Sequence, residues 1–473
     1  MKPTTTGRPI PRGALAAVLA AALLAGCGSL TPVHERPAAP VAPQFPAYGS
    51  GDATAIQAPD LAWQDFFQDA RLRALISLAL EHNRDLRVAV LNLEQPRAQL
   101  QLRRADQVPT VNVGANASRA PAGNGGIATS YSAGFNITSF EADFFGRLRE
   151  LSEAAQAQLL AQVESRKTVQ ISLIAQVASS YLALLADDEQ LRLTRETLAN
   201  REQWSSLTQR MFDAGVSSGL DLQSARSLVE SARATLAQFE RQRATDLNAL
   251  NLLIGQPLSD SALADLPAGL PLTGQGLVGM LPVGVPSEVL LRRPDVRGAE
   301  QQLLAANANI GAARAAFLPR ITLTTSIGTA SSELSGLFRS GSFGWTFAPQ
   351  LLLPIFDGGR NQANLDAAQV GRDIAVAQYE KALQSAFREV ADALAARATL
   401  VEQLRAQQAQ SSAEQARQQL IELRYQHGAA SAFERLDAQR STFSARQSVV
   451  QLQLQQAQNL VAVYKSLGGG WKE

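Results

Sequence analysis

Val108-Pro109-Thr110-Val111-Asn112-Val113-Gly114-Ala115-Asn116-Ala117-Ser118 is where the chain changes period. Val111, Val113, Ala115 and Ala117 alternate with Asn112, Gly114, Asn116 and Ser118, the two-residue repeat of a strand with one apolar face. A Gly-rich turn, Gly123 to Gly126, follows. Tyr131, Ala133, Phe135 and Ile137 then alternate with Ser132, Gly134, Asn136 and Thr138, so a hairpin is expected over about 108–143. The stretch returns later. Leu318-Pro319-Arg320-Ile321 repeats Val108-Pro109-Thr110-Val111 at 319 − 109 = 210, and Asp295 repeats Asp85 at the same separation. Further on the separation is 360 − 147 = 213. It relates Gly146-Arg147 to Gly359-Arg360, Phe212-x-x-Gly215 to Tyr425-x-x-Gly428, and Leu253-Ile254-Gly255 to Ser466-Leu467-Gly468. The chain is therefore two in-phase copies of one unit, the second gaining three residues in the segment between the two registers.

Each copy reads as helix, hairpin, long helix, helix. Copy one (61–255) opens with Trp63-x-x-Phe66-Phe67 and a helical stretch from about Asp69 to Ala105, in which Pro96 is expected to make a kink or a split. From about Arg147 to Met211 there is neither Pro nor Gly, and good helix formers dominate. Such a helix is ~97 Å long. Phe212 to Gly219 ends it, and a second helix runs over 220–253. Residues 256–286, rich in Pro and Gly, read as a linker. Copy two (287–473) repeats the order, with a hairpin over about 320–354, a long helix over about 359–426 and a last helix over 432–467. Ile174, Val177, Tyr181 and Leu184, and Leu383, Phe387, Val390 and Leu394, carry the three-four spacing of coiled-coil packing.

Composition bounds the partners. A net charge of +1 argues against a nucleic-acid binder. His34, His82 and His427 lie far apart, so no histidine metal site is suggested, and a single Cys excludes an intrachain disulfide. That Cys follows a basic segment (Lys2, Arg8, Arg12) and an apolar run from Ala14 to Leu24, in the order Leu24-Ala25-Gly26-Cys27. It resembles a bacterial lipobox. Residues 1–26 are then a signal peptide, Cys27 the lipidated N-terminus, and 27–60 a Pro/Ala-rich tether. Gly28, where Asp would retain a lipoprotein, implies outer-membrane sorting by that resemblance. No other segment reads as a transmembrane helix.

Physics restricts what such a chain can build. Four strands cannot close a membrane barrel alone, and an open sheet edge cannot face lipid. The strands either pair with other chains or do not span a membrane. Their apolar and Asn/Ser/Thr/Gly faces suit a lipid-facing wall with a wet interior, with Tyr131 and Trp345 at headgroup level; the edge of a soluble sandwich fits the same alternation. The Gln-rich helix faces fit a wall round an aqueous channel, and a solid bundle fits the same period. Hairpins and ~100 Å helices in one exported chain favour the channel.

Longer motifs carry a resemblance. Leu281-Pro282-Val283-Gly284-Val285-Pro286-Ser287-Glu288-Val289-Leu290-Leu291-Arg292-Arg293-Pro294-Asp295-Val296 resembles a signature of the TolC-type outer-membrane efflux proteins, in the NodT-like lipoprotein branch. So do Leu353-Pro354-Ile355-Phe356-Asp357-Gly358-Gly359-Arg360, and Leu436-Asp437-Ala438-Gln439-Arg440 after Tyr425-x-x-Gly428. The resemblance implies a mainly α protein with a small β-barrel contribution. Three chains supply twelve strands to one outer-membrane barrel, continued by a periplasmic α-helical tunnel. It implies a passive conduit, not an enzyme and without a cofactor beyond the lipid on Cys27. Its partners are two further copies, a periplasmic adaptor, an inner-membrane pump of the RND type, and outer-membrane lipid.

In that family acidic residues narrow the periplasmic end. The matching positions are Glu434 and Asp437, with Asp221 in the first copy. Like charges gathered in a ring repel and favour opening or a bound cation; ordinary acids near helix N-termini fit the same positions. Arg435 departs from the family's apolar residue and is expected to pair with an acid of the ring. Gly215 and Gly428 mark the helix turns at the tip, where adaptor contact is expected.

Gly215-Val216-Ser217-Ser218-Gly219 matches the G-x-S-x-G of serine hydrolases, but that elbow needs a preceding strand. The rival readings are a periplasmic adaptor and a structural coiled-coil lipoprotein. An adaptor needs one helical hairpin, whereas this chain has two, with amphipathic strands in each copy.

Overall fold

The structure is a computed structural model, and it describes residues 29–46, 61–121, 123, 125–258, 263, 265–275 and 287–471. The signal peptide 1–26, Cys27, much of the tether and linker, and 281–286 of the longest motif lie outside the described residues. The principal elements run α1 (Trp63–Phe66), α2 (Ala70–His82), α3 (Arg84–Leu91), α4 (Glu94–Ala105), β1 (Val111–Pro121), β2 (Ile127–Ala142), α5 (Arg147–Asp213) and α6 (Gly219–Ile254). They continue as α7 (Pro294–Ala315), β3 (Arg320–Ser331), β4 (Phe343–Leu352), α8 (Arg360–Gln426) and α9 (Ala432–Ser466).

The first helical stretch is divided, and Pro96 is not the break. The helix is interrupted at Asn83 and again after Leu91, and Pro96 lies in the first turn of α4. First-turn amides have no intrahelical acceptor, so a missing N–H there costs nothing. Asn83 makes the earlier break: its side-chain oxygen caps α3 at the amide of Leu86 (2.8 Å), and its amide donates to Leu253 O (2.8 Å).

Two compact units can be distinguished. One contains the four strands, residues 92–163 and 298–380, and the N-terminal segment to Ala38. The strands form one antiparallel sheet in the order β1-β2-β3-β4, leaving β1 and β4 as edges. Register aligns Val113, Phe135, Ile327 and Trp345 in one row across all four strands. All four are 48–76% exposed, so the row presents apolar side chains with no cover from this chain. The next row is Gly114, Gly134, Gly328 and Gly344. A bulge interrupts β2, where Thr138 and Ser139 oppose one residue of β3 and Ser139 takes a positive φ of 54°. At the end of β2, Glu141 accepts two hydrogen bonds from Arg147 (2.8 Å each) and pairs with Arg320 (2.6 Å), fixing β2 to β3 and to the start of α5. The segment after residue 28 is anchored too. Ser29 and Thr31 donate to the buried carboxylate of Glu150 (2.7 and 2.5 Å), and Arg314 donates to Leu30 O (2.9 Å).

The other unit comprises residues 39–91, 164–297 and 381–473. Its core gathers Phe66, Phe67, Leu72, Ile76, Ile174, Leu182, Leu250 and Ile254, with Phe66 stacked 4.0 Å from Tyr464. Buried Asp69 caps α2 at the amides of Arg71 and Leu72, and also accepts from the Tyr181 hydroxyl (3.2 Å) and Leu270 N (2.9 Å). Arg293 of the Arg-Arg-Pro-Asp motif is buried. It donates to Asp295 (3.0 and 2.7 Å), Glu389 (2.8 Å) and the Ser466 carbonyl (2.6 Å), tying α7, α8 and the end of α9 together.

Among the described residues one helix, α5, contains a window apolar and long enough to cross a membrane by length and composition, but 61% of that window is buried inside the protein. Its apolar positions, Ile174, Val177, Ala178 and Leu182 among them, form the core just described.

Candidate functional site at the helix-turn tips

The two helix turns are chemical repeats of each other. Phe212, Gly215, Ser218 and Asp221 correspond, 213 positions on, to Tyr425, Gly428, Ser431 and Glu434. Gly215 and Gly428 both have a φ of 71°, the left-handed conformation that glycine adopts without strain. In the first turn Gly215 N bonds to Phe212 O (2.9 Å) and Val216 N to Met211 O (2.9 Å); in the second Gly428 N bonds to Tyr425 O (3.0 Å) and Ala429 N to Arg424 O (2.7 Å). These are paired Schellman closures of α5 and α8.

Each following helix opens with a capping box. Ser218 Oγ accepts from Asp221 N (3.1 Å), and Asp221 accepts from the Ser218 amide (3.4 Å) and hydroxyl (2.6 Å). Ser431 Oγ accepts from Glu434 N (3.1 Å), and Glu434 accepts from the Ser431 amide (2.7 Å) and hydroxyl (3.0 Å). The Ser431 backbone and side-chain donors hold the Glu434 carboxyl below its usual range, so it remains an anion near neutral pH. Asp221 and Glu434 are thus built into the starts of α6 and α9.

Asp437 is placed differently. Arg440, one turn on, donates to it at 2.7 Å, and Arg417 of α8 lies 3.6 Å away. Arg435 does not pair with Asp221, Glu434 or Asp437. It donates to Glu422 of α8, and its guanidinium lies 3.7 Å over the ring of Trp204 and 5.5 Å over that of Tyr425. The planar cation stacks on aromatic faces as well as bonding a carboxylate, and this geometry turns it away from the acids. Trp204 meets Tyr425 edge-on at 5.4 Å, and with Ala225 and Leu436 forms a small core that joins α5, α6, α8 and α9. Sequence reasoning does not single out Ser431, Trp204, Glu422 and Arg417, nor the capping role of Ser218. The Ser-x-x-Asp and Ser-x-x-Glu spacing before each helix was the available signal for the two serines.

The G-x-S-x-G pattern falls on the first turn, where α5 precedes it and Ser218 caps α6. A nucleophile elbow is a strand-to-helix turn, so the pattern here is a helix connection.

An antiparallel sheet with a bare apolar face, in a mainly helical chain that twice repeats helix, hairpin and long helix pair, defines an outer-membrane channel fold. The chain belongs to the outer membrane efflux protein family, whose profile matches residues 75–256 and 285–469. It is 45% identical over 460 residues to the solvent efflux pump outer membrane protein SrpC of Pseudomonas putida, covering 95% of this chain and 96% of that one. To the outer membrane protein OprJ of Pseudomonas aeruginosa it is 44% identical over 471 residues, covering 98% and 97%. Among solved structures it resembles the open state of the Neisseria gonorrhoeae MtrE outer membrane channel, with TM-score 0.86, 44% identity and coverage of 94% and 99%.

Proposed function

We propose that this outer-membrane efflux protein is the exit duct of a tripartite pump, a passive conduit for small molecules handed on by a periplasmic adaptor and an RND-type inner-membrane pump. The row Val113, Phe135, Ile327 and Trp345, exposed on a sheet with two unpaired edges, carries the reading. In lipid those edges must find partners. Three copies pairing β1 to β4 would give twelve strands round one lumen, with the apolar row facing lipid and the helices continuing as a tunnel. Cys27 carries the lipid anchor in this reading. Ser29, two residues on, is held by Glu150 near the start of α5, which supports an anchor close to the sheet.

The turns at Gly215 and Gly428 form the periplasmic tip and face the adaptor, and Asp221, Glu434 and Asp437 supply a ring of negative charge there. Because Asp221 and Glu434 also cap helices, alanine at these positions mixes a charge effect with a folding effect. Gln at 434 and Asn at 437 remove charge while leaving polar groups for the cap. The test is single-channel conductance in a planar bilayer. Wild type gives small discrete steps blocked by multivalent cations, and Glu434→Gln with Asp437→Asn gives larger steps with weakened block. Unchanged conductance and unchanged block remove the acidic gate. No conductance from folded trimers of either protein removes the channel.

A further inference from the structure

Between α5, α8 and α9 lies a cavity of about 430 Å³ with an excess of positive charge. Arg201, Arg435 and Arg446 line it, and Glu422 is the acid among its lining residues. Glu422 is taken by Arg435. Arg446 has a long contact to Glu196 (3.9 Å), which Arg192 holds at 2.6 Å, and it also lies within the field of Glu189, another acid that Arg192 holds. Arg201 is 5% exposed and has no carboxylate partner among the described residues. Its one hydrogen bond goes to Leu228 O (3.0 Å), and its guanidinium lies 5.3 Å over Phe443. Burial alone depresses its basicity, with no acid to offset it. Two buried N–H groups, Nε of Arg201 and Nη1 of Arg435, lack acceptors.

A buried cation left without a counter-charge is costly, and structures normally supply the anion. Leu193, Trp204, Leu207 and Phe443 give the wall an apolar and aromatic part beside neutral polar residues such as Asn200, Gln203 and Gln439, and the volume is that of a small-molecule site. We infer that this cavity binds a small organic oxyanion, its carboxylate or phosphate set between Arg201 and Arg435 and its apolar body against Trp204 and Phe443. A bound anion ties α5 to α9 by charge, adding to the long Glu196–Arg446 contact. The inference is independent of the acidic gate, since none of its residues belongs to that ring.

Benzoate is the probe, with benzyl alcohol and chloride as controls, on the detergent-purified full-length protein. Tryptophan fluorescence and thermal unfolding are both followed. Benzoate is expected to saturate the fluorescence change and raise the unfolding temperature, while the controls do neither. Arg201→Gln is expected to weaken binding at least about tenfold, the loss of one charge-assisted hydrogen-bonding partner. Arg446→Gln, at a more exposed position, weakens it less and serves where Arg201→Gln does not fold. Equal responses to benzoate and benzyl alcohol overturn the site. So does wild-type benzoate affinity in either folded variant.

Discussion

Gly134 on β2 and Gly328 on β3 lie directly opposite each other, so close that a Cβ built on either would stand 2.6 Å from the other's Cα. The obstacle is backbone, which cannot rotate aside. Gly134→Val is therefore expected to part the two strands, although Val is a favoured strand residue, at a cost above the ~1–3 kcal/mol usual for overpacking. Gly344, in the same row but on edge strand β4, has open space around its Cβ position. Gly344→Ala should be nearly neutral within the single chain, and far milder than Gly134→Val where β4 meets a neighbouring β1. Thermal unfolding by circular dichroism measures both, and equal effects would refute the close-approach argument.

The tip glycines give a purely conformational case. A Cβ at Gly428 would meet nothing within 4 Å, so only the positive φ opposes substitution. Gly428→Ala should cost about 1–2 kcal/mol, and Gly428→Asn clearly less, because Asn tolerates the left-handed region. The ordering Asn above Ala in denaturant midpoint is the check.

Asp187 on α5 is predicted to make stability fall as pH rises. Burial, then a hydrogen bond and repulsion from Asp246 on α6, push its carboxyl up to about 7, from an ordinary value near 3.8. The folded state thus holds a proton that the unfolded state releases. This stabilising contribution is full below about pH 4 and lost as pH passes through about 7. Asp187→Asn should flatten the unfolding profile between pH 5 and 8 and exceed wild type at the alkaline end. Parallel profiles for the two proteins would count against a shared proton.

Arg293 joins two carboxylates and a helix-terminal carbonyl from a buried position. Arg293→Met leaves Asp295, Glu389 and Ser466 O without their donor, at an expected ~2–4 kcal/mol. Lysine cannot reproduce the fork, so Arg293→Lys should recover only part of the loss. Urea denaturation of the three proteins separates the charge from the geometry.

What the sequence revealed depended on period. Alternation from Val111 and the helix-former run from Arg147 gave the fold class, and F-x-x-G with Y-x-x-G located both tips. The net gain of three residues concealed two events. Register relates Val111 to Ile321 at 210 and their partners Ile137 to Leu351 at 351 − 137 = 214, so the second hairpin connection is four residues longer. From Ile137 to Gly146 is nine residues, and from Leu351 to Gly359 eight; the bulge at Thr138 and Ser139 lies in the longer segment. A bulge has no periodic signature, so only the net difference was visible. The acids at 221, 434 and 437 were identified by position, but their bonds were not. Whether Arg435 meets an acid of its own turn or Glu422 on another helix is a matter of tertiary packing, with Trp204 arriving from α5 to receive the guanidinium.

The long helices differ from the hairpins in how they have diverged. Arg147–Asp213 and Arg360–Gln426 are each 67 residues, and the return helices are 36 and 35. One residue inserted into either long helix would swing every later side chain by about 100° and advance its turn by ~1.5 Å. The hairpins have already absorbed an insertion and a deletion, while the two long helices have kept equal length. Evolution can lengthen or shorten this protein at its strand loops one copy at a time, but along the helices only by matched changes in both.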